Sequence, residues 1–227
     1  MGVLGEISKP YSAAEAWLYD RIVAGAVIEM GERIAHELAT QVPEDAKVLD
    51  VGCGGGHLVL DLAERRPRAR VTGLDLSEEQ LARARERTDA AGFSSRVTLV
   101  QGSALELPFD DDSFDVVTSV ASIKHWPDQA RGVRECVRVL APGGRLFVFE
   151  ADRGCRLSDA RAFVARWRLP RPLRVPALAM FRTWVAGQAI DLDDARELLA
   201  VAAITDTTVR RVPETPALVF SGRKPEK

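Results

Sequence analysis

Cysteine and histidine are scarce in this 227-residue chain, with three of each, and neither is clustered. Cys53, Cys136 and Cys155 are too far apart for a disulfide framework or a paired-cysteine metal site. His36, His57 and His125 are equally scattered, so a reduced, metal-free, cytoplasmic protein is expected. No apolar run reaches the roughly 20 residues that a membrane span needs, and no charged–apolar–small signal pattern opens the chain. Charge of one sign is also missing. The 31 basic and 33 acidic residues leave a net charge of -2, which gives no overall pull toward nucleic acid or an anionic membrane. A local basic patch remains open. Internal repeats and low-complexity tracts are absent, and the length suits one substantial core.

Short apolar runs alternate with helical stretches. Strands are expected at Val48–Val51, Arg70–Leu74, Val97–Val100, Phe114–Ser119 and Arg145–Glu150, and a closing antiparallel pair at Thr207–Val212 and Ala217–Ser221. Ser77-Glu78-Glu79-Gln80 reads as a capping box that starts a helix, and Gly92 as its stop. A second capping box, Ser12-Ala13-Ala14-Glu15, opens a helical region running to about Ala39. Its second half is amphipathic through Val27, Met30, Ile34 and Leu38, and Gly25 and Gly31 are candidate breaks. A further helix is expected from Asp191 to about Ala203. Strands alternating with helices require right-handed crossovers, so the sheet is parallel and covered on both faces. Residues 151–190 lose strand character and carry Pro170, Pro172 and Pro176.

The segment from Asp50 to Gly56 follows the first strand and precedes the helix of His57 to Glu64. Its glycines, Gly52, Gly54, Gly55 and Gly56, allow close backbone approach to a ligand at the strand's carboxyl end. The dinucleotide fingerprint fails, because its last position falls on His57 or Val59 in the two possible frames, and no Gly-Lys-Ser/Thr marks a Walker loop. Asp50 sits poorly beside a pyrophosphate but well beside a donor carrying an ammonium and a sulfonium. Asp75 ends the second strand, where a carboxylate accepts from both ribose hydroxyls; capping the helix near Ser77 is the plainer alternative.

These residues, together with GSALELPFDDDSFDVV (Gly102 to Val117) and RVLAPGGRLFVFE (Arg138 to Glu150), resemble the class I S-adenosylmethionine-dependent methyltransferases. The similarity is to the small-molecule type related to the ubiquinone and menaquinone C-methyltransferases, and it covers about residues 46–150. It implies an α/β fold with a Rossmann-like, doubly wound, seven-stranded, mostly parallel sheet whose last strand is antiparallel. It also implies S-adenosylmethionine across the strand ends: the loop glycines Gly52, Gly54 and Gly56 at the methionine part, Asp75 at the ribose, and the turn of Gly102, Ser103 and Ala104 at the adenine, with Asp50, Cys53, Leu76 and Ser119 as further cofactor-binding residues. The family carries Asp where this chain has Ser103, a shorter and neutral acceptor.

The domain reading is a helical cap over residues 1–40 and a methyltransferase domain over 41–227, in which 151–190 form an insertion over the acceptor pocket. Tyr11, Trp17, Phe181 and Trp184 are candidates for its aromatic wall, each with core packing as the alternative. Methyl transfer from a sulfonium needs the nucleophile aimed and water excluded, and a general base only for a protonated acceptor. His125, a few residues past the fourth strand, is the candidate base, or else packs beside Trp126 and Pro127. Tyr11, Tyr19, Glu150, Asp152 and Trp184 could reach the same space. The Asn/Asp-Pro-Pro-Tyr pattern of adenine and glutamine methyltransferases is missing after the fourth strand. A small-molecule acceptor is therefore expected, ahead of a cofactor-binding or non-methylating protein and an RNA-directed enzyme.

Overall fold

The computed structural model describes residue 22 and residues 24–226, so Tyr11, Trp17, Tyr19 and the Ser12 capping box lie outside the described residues. Seven strands form one sheet: β1 (Lys47–Val51), β2 (Arg70–Asp75), β3 (Val97–Gln101), β4 (Phe114–Val120), β5 (Leu140–Ala151), β6 (Thr205–Arg211) and β7 (Ala217–Arg223). Their order is β3-β2-β1-β4-β5-β7-β6. Neighbours from β3 through β5 pair in parallel, whereas β7 runs antiparallel to both β5 and β6. The α-helices among the described residues are α1 (Ala24–Gln41), α2 (His57–Arg65), α3 (Glu78–Ala90), α4 (Gln129–Val139), α5 (Leu157–Ala165), α6 (Arg174–Met180) and α7 (Leu192–Val201).

Alternation within the strands divides the core into two layers. Val48, Val116, Phe147 and Val219 face one side with Leu38, Leu62 and Leu81. Leu49, Val117, Leu146 and Leu218 face the other with Val133 and Leu198. Both faces of the central strands β1, β4 and β7 are therefore largely dry, as their apolar residues require, whereas the edge strands β3 and β6 keep exposed positions. The helix starts are local: the Ser77 hydroxyl accepts from the Gln80 amide at 3.3 Å, and Asp191 and Asp194 make a reciprocal capping box on α7. Gly92 follows α3 in the left-handed conformation, φ +74°.

Two expectations are corrected. α1 runs unbroken through Gly31. A helical glycine costs only about 1 kcal/mol, and the buried Ile34, Ala35 and Leu38 offset it. The fifth strand is also longer than its apolar run, because Leu140 already pairs with Phe114 and an irregularity separates that contact from the regular ladder beginning at Arg145. Residues 151–190 are short helical pieces, α5 and α6 followed by a π turn and a 3₁₀ turn. Phe163, Trp167 and Phe181 form a small core of their own there, joined by Ala26 and Met30 of α1.

Candidate active site

Strand order reverses between β1 and β4, and crevices at such switch points are where open α/β sheets receive ligands. The glycine loop leaves β1 at that point, and a 3₁₀ turn, Ile123–His125, follows β4 across from it. Between them lies a cleft of about 230 Å³, lined on one side by Gly52, Leu74, Asp75 and Leu76. Gly102, Ser103, Ala104 and Leu105 form a second wall, and Ser122, His125, Trp126 and Pro127 a third.

The loop is folded by its own backbone. The Gly52 and Cys53 amides both donate to the Leu74 carbonyl, at 2.7 and 3.0 Å, and the Gly56 amide donates to the Cys53 carbonyl before α2 begins. Gly52 has φ +78°, and a Cβ there would stand 1.9 Å from the Ser122 hydroxyl oxygen. Gly54 differs: φ is +51°, yet nothing lies within 4 Å of a Cβ placed on it. The loop therefore needs glycine at Gly52 to close against its own protein, and at Gly54 it faces open space. Arg87 reaches back from α3 to donate to the Gly55 carbonyl at 2.6 Å, a clamp the sequence did not announce.

Asp75 joins the loop to the β2 terminus. One carboxylate oxygen accepts from the Gly54 amide and the other from the Ser77 amide, both at 2.8 Å. It braces the start of α3, as the plainer reading expects, and also lines the cleft. Each oxygen keeps a second lone pair for a ligand hydroxyl. Leu76 beside it is 72% exposed, an apolar surface at the cleft that the fold itself does not cover.

Asp50 is 2% exposed, and its Oδ1 has no hydrogen-bond partner; neither does the buried Thr118 hydroxyl, on the neighbouring strand at the paired position. Buried polar atoms left without partners carry a cost of about 1–3 kcal/mol and call for an explanation. Burial first, and the Asp75 charge second, push the Asp50 carboxyl up to about 7 from an ordinary 3.8. The folded chain thus holds a proton that the unfolded chain has lost, so this group's stabilisation is complete below pH ~4 and is lost as pH rises through ~7. In the ligand-free protein, melting temperature is expected to fall between pH 6 and 8 by more than in Asp50→Asn, as followed by circular dichroism. Equal slopes would contradict the assignment.

The second wall is pinned from α4. Arg138 donates to the Leu107 and Phe109 carbonyls, each at 2.9 Å, and its ion pair with Glu135 holds that carboxyl below its usual range. Glu135 in turn accepts from the Leu107 amide at 2.8 Å. Ser103 accepts from the Leu105 amide at 3.1 Å, so its hydroxyl is partly committed to the turn.

Several expected residues stand elsewhere. Ser119 is fully buried and donates to the Val51 carbonyl at 2.8 Å, tying β4 to β1 behind the cleft. Strand alternation at that position turns it into the core. The Cys53 thiol is buried too and donates to the Gly54 carbonyl at 3.7 Å, so both its sulfur and its amide hold the loop together. Glu150 is buried and accepts from the Lys124 amide, the Lys124 ammonium and the Ala151 amide, so it anchors the turn that carries His125. Asp152 is likewise occupied, by Arg211 at 2.6 Å and the Gly154 amide. Phe181 packs against Phe163 and Trp167, the core alternative for that aromatic. Trp184 sits in the π turn, and its side chain lies outside the described residues. His125 does line the cleft, and partial burial and the Lys124 charge hold its imidazole below the ordinary value against an opposing effect of Glu150. Ser122, which no sequence motif marks, accepts from the Trp126 indole at 3.0 Å and fixes the third wall.

A glycine-bearing loop, an acid at each of two adjacent strand ends and a β7 hairpin closing the sheet define the class I methyltransferase architecture. A family profile for the methyltransferase domain matches residues 49–148. Over 194 residues the chain is 30% identical to a demethylmenaquinone methyltransferase of Bacillus cytotoxicus, covering 82% of this chain and 81% of that one. It is 40% identical to the 27-O-demethylrifamycin SV methyltransferase of Amycolatopsis mediterranei, over 52% of this chain and 44% of the relative. The chain thus spans about half the length of several curated relatives it matches. Among solved structures, a SAM-dependent methyltransferase from Aquifex aeolicus superposes with a TM-score of 0.65 over 83% of this chain and 88% of that one, at 17% identity, a likeness of fold. The chain belongs to the class I S-adenosylmethionine-dependent methyltransferase family, in the branch of the ubiquinone and menaquinone C-methyltransferases.

Proposed function

We propose that this protein transfers a methyl group from S-adenosylmethionine to a small-molecule acceptor by in-line displacement. The observation that carries the proposal is the pairing of an orphaned, buried Asp50 carboxylate with an open Gly54 at the sheet's switch point. The donor set fits the cofactor. Asp50 and the amides of Gly52, Cys53, Gly54 and Gly56 would hold its methionine part, Asp75 its ribose, and Leu76 with Gly102, Ser103 and Ala104 its adenine. When bound, the cofactor supplies an electrophilic methyl on a sulfonium. The chain's contribution is to orient and to exclude water, which can provide most of such a rate. Relatives named for a demethylrifamycin and a demethylmenaquinone both support a small-molecule acceptor. The direct test mixes purified protein, S-adenosylmethionine and fractionated metabolites and follows S-adenosylhomocysteine. Formation with a small-molecule fraction supports the proposal. Binding without turnover would favour a non-methylating protein, and ribonuclease-sensitive labelling an RNA-directed one.

The cationic donor favours ionised Asp50, so affinity for S-adenosylmethionine should rise with pH through about 7, and binding below that pH should release a proton. Calorimetry in two buffers of different ionisation enthalpy reads this; Asp50→Asn removes it.

His125 is the proposed general base. Its lowered pKa leaves the imidazole neutral at pH 7 and able to accept a proton from the acceptor. His125→Ala is expected to lower turnover about 10²–10⁴-fold for an acceptor that must lose a proton, with cofactor affinity unchanged. Unchanged turnover would leave positioning as the whole mechanism.

Residues 1–40 and 151–190 are proposed as a joint cap over the acceptor, with Tyr11, Trp17 and Trp184 on its wall and Tyr19 reaching the same space. Support comes from the small core in which Ala26 and Met30 meet Phe163 and Phe181. Hydrogen exchange should slow in both segments on cofactor binding; equal, strong protection without cofactor would oppose a cap. The free, buried cysteines support a reducing, cytoplasmic setting, and among the described residues no helix is long and apolar enough to cross a membrane.

A further inference from the structure

The charge of this chain is unevenly distributed. Residues 153–190 hold eight arginines and a single acid, Asp159, a net of +7, whereas the rest of the chain carries -9. Arg153 is paired with Asp191 and Asp194, and Arg166 with Glu29. The other six arginines, Arg171, Arg174 and Arg182 among them, form no ion pair with any described residue.

The same segment concentrates exposed apolar surface. Of the seven large hydrophobic side chains exposed among the described residues, five belong to it: Leu157, Leu173, Val175, Met180 and Val185, with Val175 at 75%. α6 buries Ala177 against the insertion's core, and Phe181 follows it there. Val175 and Ala179 lie on its opposite side, and Leu173, Pro176 and Met180 form the adjoining stripe, all exposed. A helix apolar on both sides is one that something else covers.

We propose that this face of the insertion docks on the surface of an anionic lipid bilayer, lying in the interface without spanning it. Exposed aliphatic side chains flanked along the chain by the unpaired, exposed Arg171 and Arg182 match both parts of that surface, the acyl boundary and the negative headgroups. Single-stranded RNA would call for exposed stacking rings rather than Val and Met. A second copy of this chain would bring +7 against +7. The overall charge of -2 hides the patch because the acids lie in the rest of the chain.

The test is flotation of the purified full chain with phosphatidylglycerol-containing vesicles and with pure phosphatidylcholine vesicles. The protein is expected to float with the anionic vesicles alone, and to be released by ~0.5 M salt. Val175→Asp/Met180→Asp and Arg171→Glu/Arg182→Glu should each lower partitioning by at least about tenfold. These side chains are exposed, so melting temperatures should stay near the parent's and separate lost docking from lost fold. The proposal is overturned by absence of flotation, by equal partitioning of the parent and both variants, or by equal binding to neutral vesicles. A dimer that the variants dissociate without any vesicle binding, or retarded RNA without it, would also overturn it. None of these readouts uses the cofactor or turnover, so the result stands apart from the proposed reaction.

Discussion

Gly54→Val is expected to weaken binding of S-adenosylmethionine and S-adenosylhomocysteine by about 100-fold or more, a loss of ~2.7 kcal/mol. The chain stays folded because, beyond the two chain neighbours, no protein atom lies within 4 Å of the added Cβ. Two effects act on the ligand. The branched side chain projects into the space the loop leaves open, and φ +51° is a conformation that β-branched residues resist. Relief of that strain would also pull the Gly54 amide from Asp75. A strain of about 1–3 kcal/mol lowers the melting temperature of a chain this size by several degrees without unfolding it at 25 °C. Gly52→Val is the contrasting variant. Its Cβ collides with the Ser122 hydroxyl oxygen, and the loss there should fall on stability. Equal melting temperatures for the two variants, with cofactor affinity retained in Gly54→Val, would contradict the distinction.

Asp75→Ala should cost about 1.5–3 kcal/mol of cofactor affinity, roughly 10- to 150-fold, from lost hydrogen bonds to a charged group. The change also frees the Gly54 and Ser77 amides, so the glycine loop loses its tie to the start of α3. Asp75→Asn keeps one acceptor oxygen and should fall between parent and alanine variant. Calorimetric titration measures all three. An alanine variant binding as tightly as the parent would remove Asp75 from the site.

The sheet was legible because its strands are short, apolar and separated by helix starts with their own caps, such as Ser77 and Asp191. The closing β6–β7 pair was readable for the same reason. The glycine loop was legible too, since four glycines within five residues after a strand have few other uses. What the sequence hid lies in contacts between distant residues. The Arg87 clamp on Gly55, the Glu135–Arg138 hold on the Leu107 turn and the Ser122 wall opposite Gly52 each depend on the tertiary fold. Glu150 reads as a free acid near the strand end until the fold brings Lys124 onto it. Ser119 reads as a cleft residue until strand alternation turns it toward Val51. The arginines of the insertion were visible singly, but their joint exposure with Val175 and Met180 needed the folded surface.

The central claim is that the cleft between the β1 loop and the β4 turn is a cofactor site for S-adenosylmethionine. Titration calorimetry of the parent chain with S-adenosylhomocysteine, set beside NAD and the Gly54→Val variant, tests it most directly. The account predicts saturable one-site binding of S-adenosylhomocysteine to the parent, its loss in Gly54→Val and no heat from NAD. Absence of S-adenosylhomocysteine binding to the folded parent, or binding of NAD that Gly54→Val abolishes, would contradict it.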